Sequence, residues 1–431
     1  MYCRGGDLVK KVREGYKMTE LGEIPEKWYI SKLDELAQIK RGASPRPINN
    51  PKWFSEKKNV GWIRISDVTK TKKYLNSTEQ YLSDEGIAKS RLVKPNDLIM
   101  SICATVGKPI ILNIDACIHD GFILFDNLNN NKIITEYLYY LLQKKEEEFK
   151  GMGQTGTQAN LNTNIVGSTL IAIPTIEEQK KIALILSTVD EEINNVDALI
   201  EKNKELKKGL MQTLLTKGIG HTKFKKTEIG EIPEEWGVEK LGNIVEVISG
   251  ATPKTNINEY WDNGDIYWAT PTDITSNGKY ISITEKTITE SGLKNCSAKL
   301  LPIGSILMSS RATIGERCIN TVPMATNQGF KSLVCKARVN NEFIYYYIDI
   351  LKEKLIGLAS GSTFLEVSKK VVEDVKVAVP SLEEQEKIVS ILSEIDDKIH
   401  EYENKKQKLE ELKKGLMQQL LTGKMRVDLS V

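Results

Sequence analysis

The sequence predicts an α/β (α+β) chain built as two equivalent globular domains, each followed by a long helix. Three observations carry this expectation: a repeat covering nearly the whole chain, short β-rich runs divided by turn residues in each copy, and a heptad stripe closing each copy.

The repeat is explicit. Thr19-Glu-Leu-Gly-Glu-Ile-Pro-Glu-Lys-Trp28 returns as Thr227-Glu-Ile-Gly-Glu-Ile-Pro-Glu-Glu-Trp236, 208 positions later, with eight of ten residues identical. Glu205-Leu-Lys-Lys-Gly-Leu-Met-Gln-Thr-Leu-Leu-Thr216 returns 206 positions later as Glu411 to Thr422, and only Thr213 against Gln419 differs. Between these ends, Gly42-Ala-Ser-Pro45 matches Gly250-Ala-Thr-Pro253, Ala104-Thr-Val-Gly107 matches Ala312-Thr-Ile-Gly315, Gly121-Phe122 matches Gly329-Phe330, and Pro174 matches Pro380. Residues 18 to 431 number 414, and half of that is 207, so the period is a domain and not a solenoid repeat. A chain of 431 residues also exceeds what one core usually closes around. By contrast, 46–58 and 254–264 share scarcely a residue while their flanks match, a pattern of one scaffold with two different loops.

Within each copy the expected strands include Ile244 to Ile248, Ile266 to Thr270 and Ser305 to Ser310, with tight turns at Asp262-Asn-Gly264 and Ser276-Asn-Gly278. Tyr, Leu and Ile return at three- and four-residue spacing in Thr135 to Lys150 and in Glu342 to Leu358, which predicts helices. The β runs Thr169 to Ile173 and Val375 to Val379 stop at Pro174 and Pro380, and Glu-Glu-Gln follows at 177 to 179 and 383 to 385, as suits a helix N-terminus. A seam then opens at Ile182, Leu186, Val189, Ile193, Val196 and Ile200, and in the second copy at Ile388, Leu392, Ile395, Ile399, Tyr402 and Leu409. Alternating spacings of three and four are those of a coiled coil. Asn203, Lys207, Lys406 and Lys413 fall on seam positions, where buried polar groups cost stability and fix register.

Composition excludes several classes. The chain is 40% hydrophobic and 27% charged, and its longest apolar runs fall far short of a membrane span. Its six cysteines form no CxxC pair and no apolar h-region opens the chain, so a reducing, cytoplasmic location is expected. Sixty basic against 58 acidic residues leave +2, and any nucleic-acid surface must arise by clustering. Catalytic chemistry has no visible carrier. Gly107-Lys108 and Gly423-Lys424 lack the rest of a phosphate-binding loop. Gly151-Met-Gly-Gln-Thr-Gly156 satisfies GxGxxG but follows a charged helix end where a strand is required, and reads as a helix stop. His119, His221 and His400 stand apart from one another and from any cysteine pair, so no metal site and no catalytic dyad can be assembled.

The opening Thr-Glu-x-Gly-Glu-Ile-Pro-Glu-x-Trp motif, the Pro-x-x-Glu-Glu-Gln helix start and the Lys-Lys-Gly-Leu-Met-Gln-x-Leu-Leu-Thr helix end, each present twice, closely resemble the DNA-specificity (S) subunit of type I restriction-modification systems over residues 19 to 424. That resemblance implies two target recognition domains joined by a pair of long antiparallel coiled-coil helices, with an internal pseudo-twofold repeat. It implies a non-catalytic subunit that holds no cofactor of its own. Its partners would be double-stranded DNA with a bipartite site, two methyltransferase (M) subunits that use S-adenosylmethionine, and restriction (R) subunits that use ATP, with no membrane involved. The expected division is 1–18 leader, 19–175 first recognition domain, 176–218 first repeated helix, 219–381 second recognition domain, 382–424 second repeated helix and 425–431 tail.

Reading duplex DNA requires cations for phosphates and side chains that reach base edges. Arg41, Arg46 and Arg64 in the first copy, and Lys254, Lys279 and Arg311 in the second, are the expected DNA-contacting residues. The repeated helix ends nominate Lys207, Lys208, Leu210 and Leu214, with Lys413, Lys414, Leu416 and Leu420, for docking of partner subunits. Two other classes stay open: a self-sufficient DNA methyltransferase or nuclease with an unfamiliar site, and a coiled-coil scaffold that reads no DNA.

Overall fold

The computed structural model describes residues 12–153, 161–276, 278–361 and 365–429. The chain divides into two compact units. The first comprises Met1–Asp197 together with Asn404–Val431, and the second is Ala198–Glu403.

In the first unit a five-stranded sheet takes the order Gln38–Arg41, Phe122–Asp126, Leu98–Ser101, Pro109–Leu112, Tyr74–Leu75. The second unit repeats it as Val245–Ser249, Lys331–Cys335, Ile306–Met308, Arg317–Asn320, Tyr280–Ile281. In each sheet the last strand pairs parallel and the others antiparallel, so the two copies share topology and pairing sense. A smaller sheet lies alongside: Gln80–Tyr81, Gly61–Ile63, Ala116–Ile118 and Arg91–Val93 in the first unit, and Thr287–Ile288, Ile266–Ala269 and Met324–Thr326 in the second. The counterpart of its fourth strand shrinks to a single bridge, Leu301 with Met324.

The long helices run Ile176–Lys217 and Leu382–Leu420, 42 and 39 residues, or about 60 Å each at 1.5 Å per residue. Both helices contribute to each unit. In the first, Ile182 and Leu186 join Met417, Leu420 and Leu421 in one core with Trp28, Leu33, Tyr137 and Tyr140. In the second, Ile388 and Leu392 join Met211, Leu214 and Leu215 with Trp236, Phe343, Tyr346 and Tyr347. The two helical segments in each unit run antiparallel: Asp190 meets Lys413 and Asp197 meets Lys406 in one, while Lys204 meets Glu403 and Lys207 meets Asp396 in the other. The seam positions Ile182, Leu186, Ile193, Val196, Ile200, Ile388, Leu392, Ile395 and Ile399 are buried.

The repeated motifs have a structural cause. The indole N–H of Trp28 donates to Glu178 at 2.9 Å, and that of Trp236 to Glu384 at 2.9 Å, tying each opening segment to the first turn of a long helix. The side chain of the next residue is fully buried and saturated. Gln179 donates to the carbonyls of Lys132 and Pro174 and accepts from the Ile134 amide; Gln385 donates to the carbonyls of Arg338 and Pro380 and accepts from the Asn340 amide. Unpaired, these buried amides would each cost about 1–3 kcal/mol.

Several local expectations change. The helix expected through Thr135 to Lys150 breaks into Thr135–Lys144 and Glu146–Gly153, because Lys145 leaves helical geometry at ψ 2 while its amide caps the carbonyls of Leu141, Leu142 and Gln143. Ile244 closes a short helix, Leu241–Ile244, and the strand starts one residue later at Val245. The folded repeat starts ahead of the first shared motif: Tyr16–Thr19 pairs with Gly22–Pro25 as Phe224–Thr227 pairs with Gly230–Pro233, and the Tyr16 hydroxyl donates to the Gly423 carbonyl at 2.8 Å. Of the GxGxxG segment, Gly151 to Gly153 end a helix and the remainder lies outside the described residues, as do residues 1 to 11 of the leader and Asn277 in the Ser276-Asn-Gly278 turn.

Candidate nucleic-acid interface

The loops that differ between the copies leave their sheets at one matched, crowded turn. A Cβ on Gly42 would lie 2.0 Å from the His119 carbonyl oxygen, and one on Gly250 would lie 1.9 Å from that of Asn327. Only glycine fits there. Beyond this turn the two loops part company.

In the first unit the loop gathers on Asp120. Ser44 Oγ donates to its carboxylate at 2.7 Å, Arg46 Nη2 pairs with it at 3.1 Å, and Arg41 Nε donates to its backbone carbonyl at 2.7 Å. The Ser44 hydrogen bond, with Arg46 and the backbone adding to it, holds the Asp120 carboxyl below the usual range. Arg46 nevertheless keeps 71% of its side chain exposed, so most of its guanidinium donors face solvent. Trp53 is buried, with its indole N–H on the Pro47 carbonyl at 2.9 Å and the Lys52 ammonium 4.1 Å above its ring. It anchors the loop from inside.

Arg64 stands before the helix Ile65–Lys70, with its amide on Asp67 Oδ2 at 2.8 Å. Its guanidinium is paired with Glu79, which also takes the Lys70 ammonium at 2.6 Å. The second unit builds the same turn without the cation: Thr270 holds Asp273 at 2.7 Å, and the Glu285 amide reaches Asp273 as the Glu79 amide reaches Asp67.

In the second unit Lys254 is exposed, and its carbonyl accepts the Trp261 indole N–H at 3.1 Å. Trp268 donates to the Ala251 carbonyl at 3.0 Å and packs edge-on against Trp261 at 5.0 Å. Arg311 is half-buried, bridged through its backbone to Glu366, which also pairs at 3.2 Å with the buried Lys331. The next residue, Ala312, has φ 61, as Ala104 has φ 57 in the first unit. A non-glycine residue in this region is strained, and both units hold it at the same turn.

Lys279 lies elsewhere, with only 14% of its side chain exposed. It pairs with Glu342 at 2.6 Å and donates to Tyr346 and Ser393. Lys207 and Lys413 are likewise turned into the molecule: Lys207 pairs with Asp396 at 2.5 Å and Lys413 with Asp190 at 2.7 Å. Leu214 and Leu420 are buried in the two cores, Leu210 and Leu416 are half-buried, and Lys208 and Lys414 are exposed. The carboxylates Asp190 and Asp396 and the phenols Tyr140 and Tyr346 were not nominated from sequence. Each pair recurs at an offset of 206, which is the signal that could have found them.

The family model for the type I restriction modification DNA specificity domain matches the chain twice, at residues 25–206 and 233–413. The chain is 33% identical over 430 residues to the putative type I restriction enzyme MjaX specificity subunit of Methanocaldococcus jannaschii, covering 96% of this chain and 97% of that one. It is 24% identical to the EcoR124I/EcoR124II specificity subunit of Escherichia coli, over 78% of this chain and 87% of that one. Among solved structures, a chain described under complex assembly and conformational transition of the type I R-M system aligns with TM-score 0.60 and 20% identity over 93% of this chain and 99% of that one. The type I restriction-modification S subunit from M. genitalium aligns with TM-score 0.55 and 16% identity over 91% and 96%. These two likenesses speak to the fold alone. With its two domain matches together spanning well over half the sequence, the chain belongs to the type I restriction-modification DNA specificity family and carries that family's domain twice.

Proposed function

We propose that this chain is the recognition subunit of a type I restriction-modification complex, in which each unit reads one half of a bipartite duplex site. One observation carries the reading: the two units share their fold, Trp–Glu lock and glycine turn, yet present different side chains on the loop that leaves that turn. Arg46 stands over Asp120 in one, and Lys254 stands beside a Trp261–Trp268 pair in the other. Different loops on one scaffold suit two half-sites of different sequence. Chemistry belongs to partners: two methyltransferase subunits docked on the repeated helices, and restriction subunits beyond them, in the cytoplasm. Among the described residues no helix is long and apolar enough to cross a membrane.

Because Lys207, Lys413, Leu214 and Leu420 are occupied within the chain, docking falls to the exposed residues of the same repeat, Lys208 and Lys414 among them. The test is selection of DNA by the full chain from a random duplex pool, followed by sequencing. Two short motifs separated by a fixed unread gap are expected. A single contiguous motif, or binding without sequence preference, would overturn the reading.

A further inference from the structure

Of the ion pairs that join the two long helices, two are built from the same residues at the same offset. In the first unit, Lys73 donates to the Tyr140 hydroxyl at 3.2 Å, Tyr140 donates to Asp190 at 2.7 Å, and Asp190 pairs with Lys413 at 2.7 Å. In the second, Lys279 donates to the Tyr346 hydroxyl at 3.1 Å, Tyr346 donates to Asp396 at 2.6 Å, and Asp396 pairs with Lys207 at 2.5 Å. A phenol has one proton, so accepting from an ammonium fixes its donation toward the carboxylate. Each chain of bonds therefore has one direction and joins four segments: the strand edge after the divergent loop, a helix of the globular part, one long helix, and the oppositely directed long helix. The lysines also sit over the phenol rings, Lys73 and Lys279 each at 4.7 Å, Lys413 at 5.5 Å and Lys207 at 5.4 Å.

The position of these groups matters as much as their bonding. Asp190 lies one turn beyond Leu186, and Lys413 one turn before Met417; Asp396 and Lys207 stand in the same relation to Leu392 and Met211. Each cluster thus sits where the shared apolar core ends along the helices. Apolar burial is non-directional and tolerates a tilt, whereas a fixed chain of short polar bonds does not.

We propose that Tyr140–Asp190–Lys413 and Tyr346–Asp396–Lys207 are positioning clamps that hold each recognition domain at one orientation on its helix pair, and so make the spacing between half-sites strict. The proposal rests on the DNA-reading function above. It also distinguishes the units. In the first, Lys72 adds a tether one to two turns further along, to Asn194 at 2.8 Å and to Asp197. Gly278 stands at the corresponding position of the second unit, which has no side chain to do the same. There Lys279 itself reaches the long helix, donating to Ser393 at 3.0 Å.

The test uses the full chain carrying Asp396→Asn or Tyr346→Phe, with Lys207→Arg as the conservative control. Spin labels are placed within the second unit at the exposed Lys202 and Glu290 through a bio-orthogonal amino acid. Circular dichroism and melting verify folding; Tyr346→Phe removes one hydroxyl and no core volume, so it stays informative if Asp396→Asn unfolds. The distance distribution should lose its single narrow peak in both variants and keep it in Lys207→Arg. A distribution as narrow as wild type in the folded variants overturns the clamp. In selection from random DNA, the variants should keep both half-site sequences and accept more than one spacer length. A broadened distance with one unchanged spacer length overturns the link to spacing. If the wild-type chain selects no sequence at all, the DNA-reading function fails, and the spin-label distances decide the clamp alone.

Discussion

Trp28 and Glu178, 150 positions apart in sequence, meet at 2.9 Å, and Glu178 is 1% exposed. A carboxylate that deep requires a cation as well as an indole. Arg426 supplies it with two nitrogens, at 2.7 and 3.1 Å; in the second unit His221 stands on Glu384 at 2.9 Å instead.

Arg426→Ala leaves Glu178 with the indole as its one remaining side-chain donor among the described residues. The expected loss is about 1–3 kcal/mol from the first unit. Guanidinium unfolding followed by tryptophan fluorescence should show an earlier first transition and an unshifted second one. No shift in either would mean that the indole alone satisfies the carboxylate.

Gly42→Ala and Gly250→Ala each drive a Cβ into a backbone carbonyl that cannot rotate away. Each should destabilise its own unit by about 1–3 kcal/mol, the usual range for overpacking, and weaken selection of one half-site. A crystal structure or thermal melt indistinguishable from wild type would show that the strand yields more easily than the geometry allows.

Glu79 pairs with both Arg64 and Lys70, and those two hydrogen-bonded cations hold its carboxyl below the usual range, with Lys70 the larger influence. Glu79→Gln should release both toward phosphate. Binding to non-specific duplex is expected to tighten, with the slope of log affinity against log salt steeper by about one or two. An unchanged slope would place these cations away from the DNA.

Burial pushes the thiols of Cys117 and Cys318 up to about 12, and that of Cys335 likewise. They are therefore neutral in the folded chain at pH 8, and iodoacetamide under native conditions should leave Cys117 and Cys318 unmodified, as mass spectrometry can read directly. For linkage, the folded thiols hold protons that unfolded ones release above about 8.5, so stability falls as pH rises from there toward 12. Cys117→Ser with Cys318→Ser should flatten that fall in denaturation curves taken at pH 8 and pH 10.

Much of this molecule is legible in its sequence because it is written twice. The repeat locates the units and the long helices, and the three-four spacing places Ile182, Leu186, Ile388 and Leu392 on a seam that is buried. Local chemistry carries less. Lys207 and Lys413 read from the sequence both as seam positions and as docking cations, and nothing near them in sequence discloses their partners Asp396 and Asp190, each about 200 residues away. Lys279 reads as a loop cation for the same reason. Periodicity reports which face of a helix is covered, and cannot report by what. Arg64 illustrates the converse case: it does stand at a turn, but its guanidinium is matched by Glu79, fifteen positions on, through a fold that no helical or strand spacing encodes.

The first compact unit is closed by Asn404–Val431, while the second is one continuous stretch, Ala198–Glu403. On a ribosome, the half that is made first is consequently finished last. Its core waits for Met417, Leu420 and Leu421, with Ile182 and Leu186 uncovered, until almost the entire chain has emerged. The downstream half holds all of its own parts as soon as Glu403 has left the exit tunnel, so the order of folding runs against the order of synthesis. Pulse proteolysis of ribosome-arrested chains should find 198–403 protected before 1–197; the opposite sequence of protection would show that the first core closes without its distant helix.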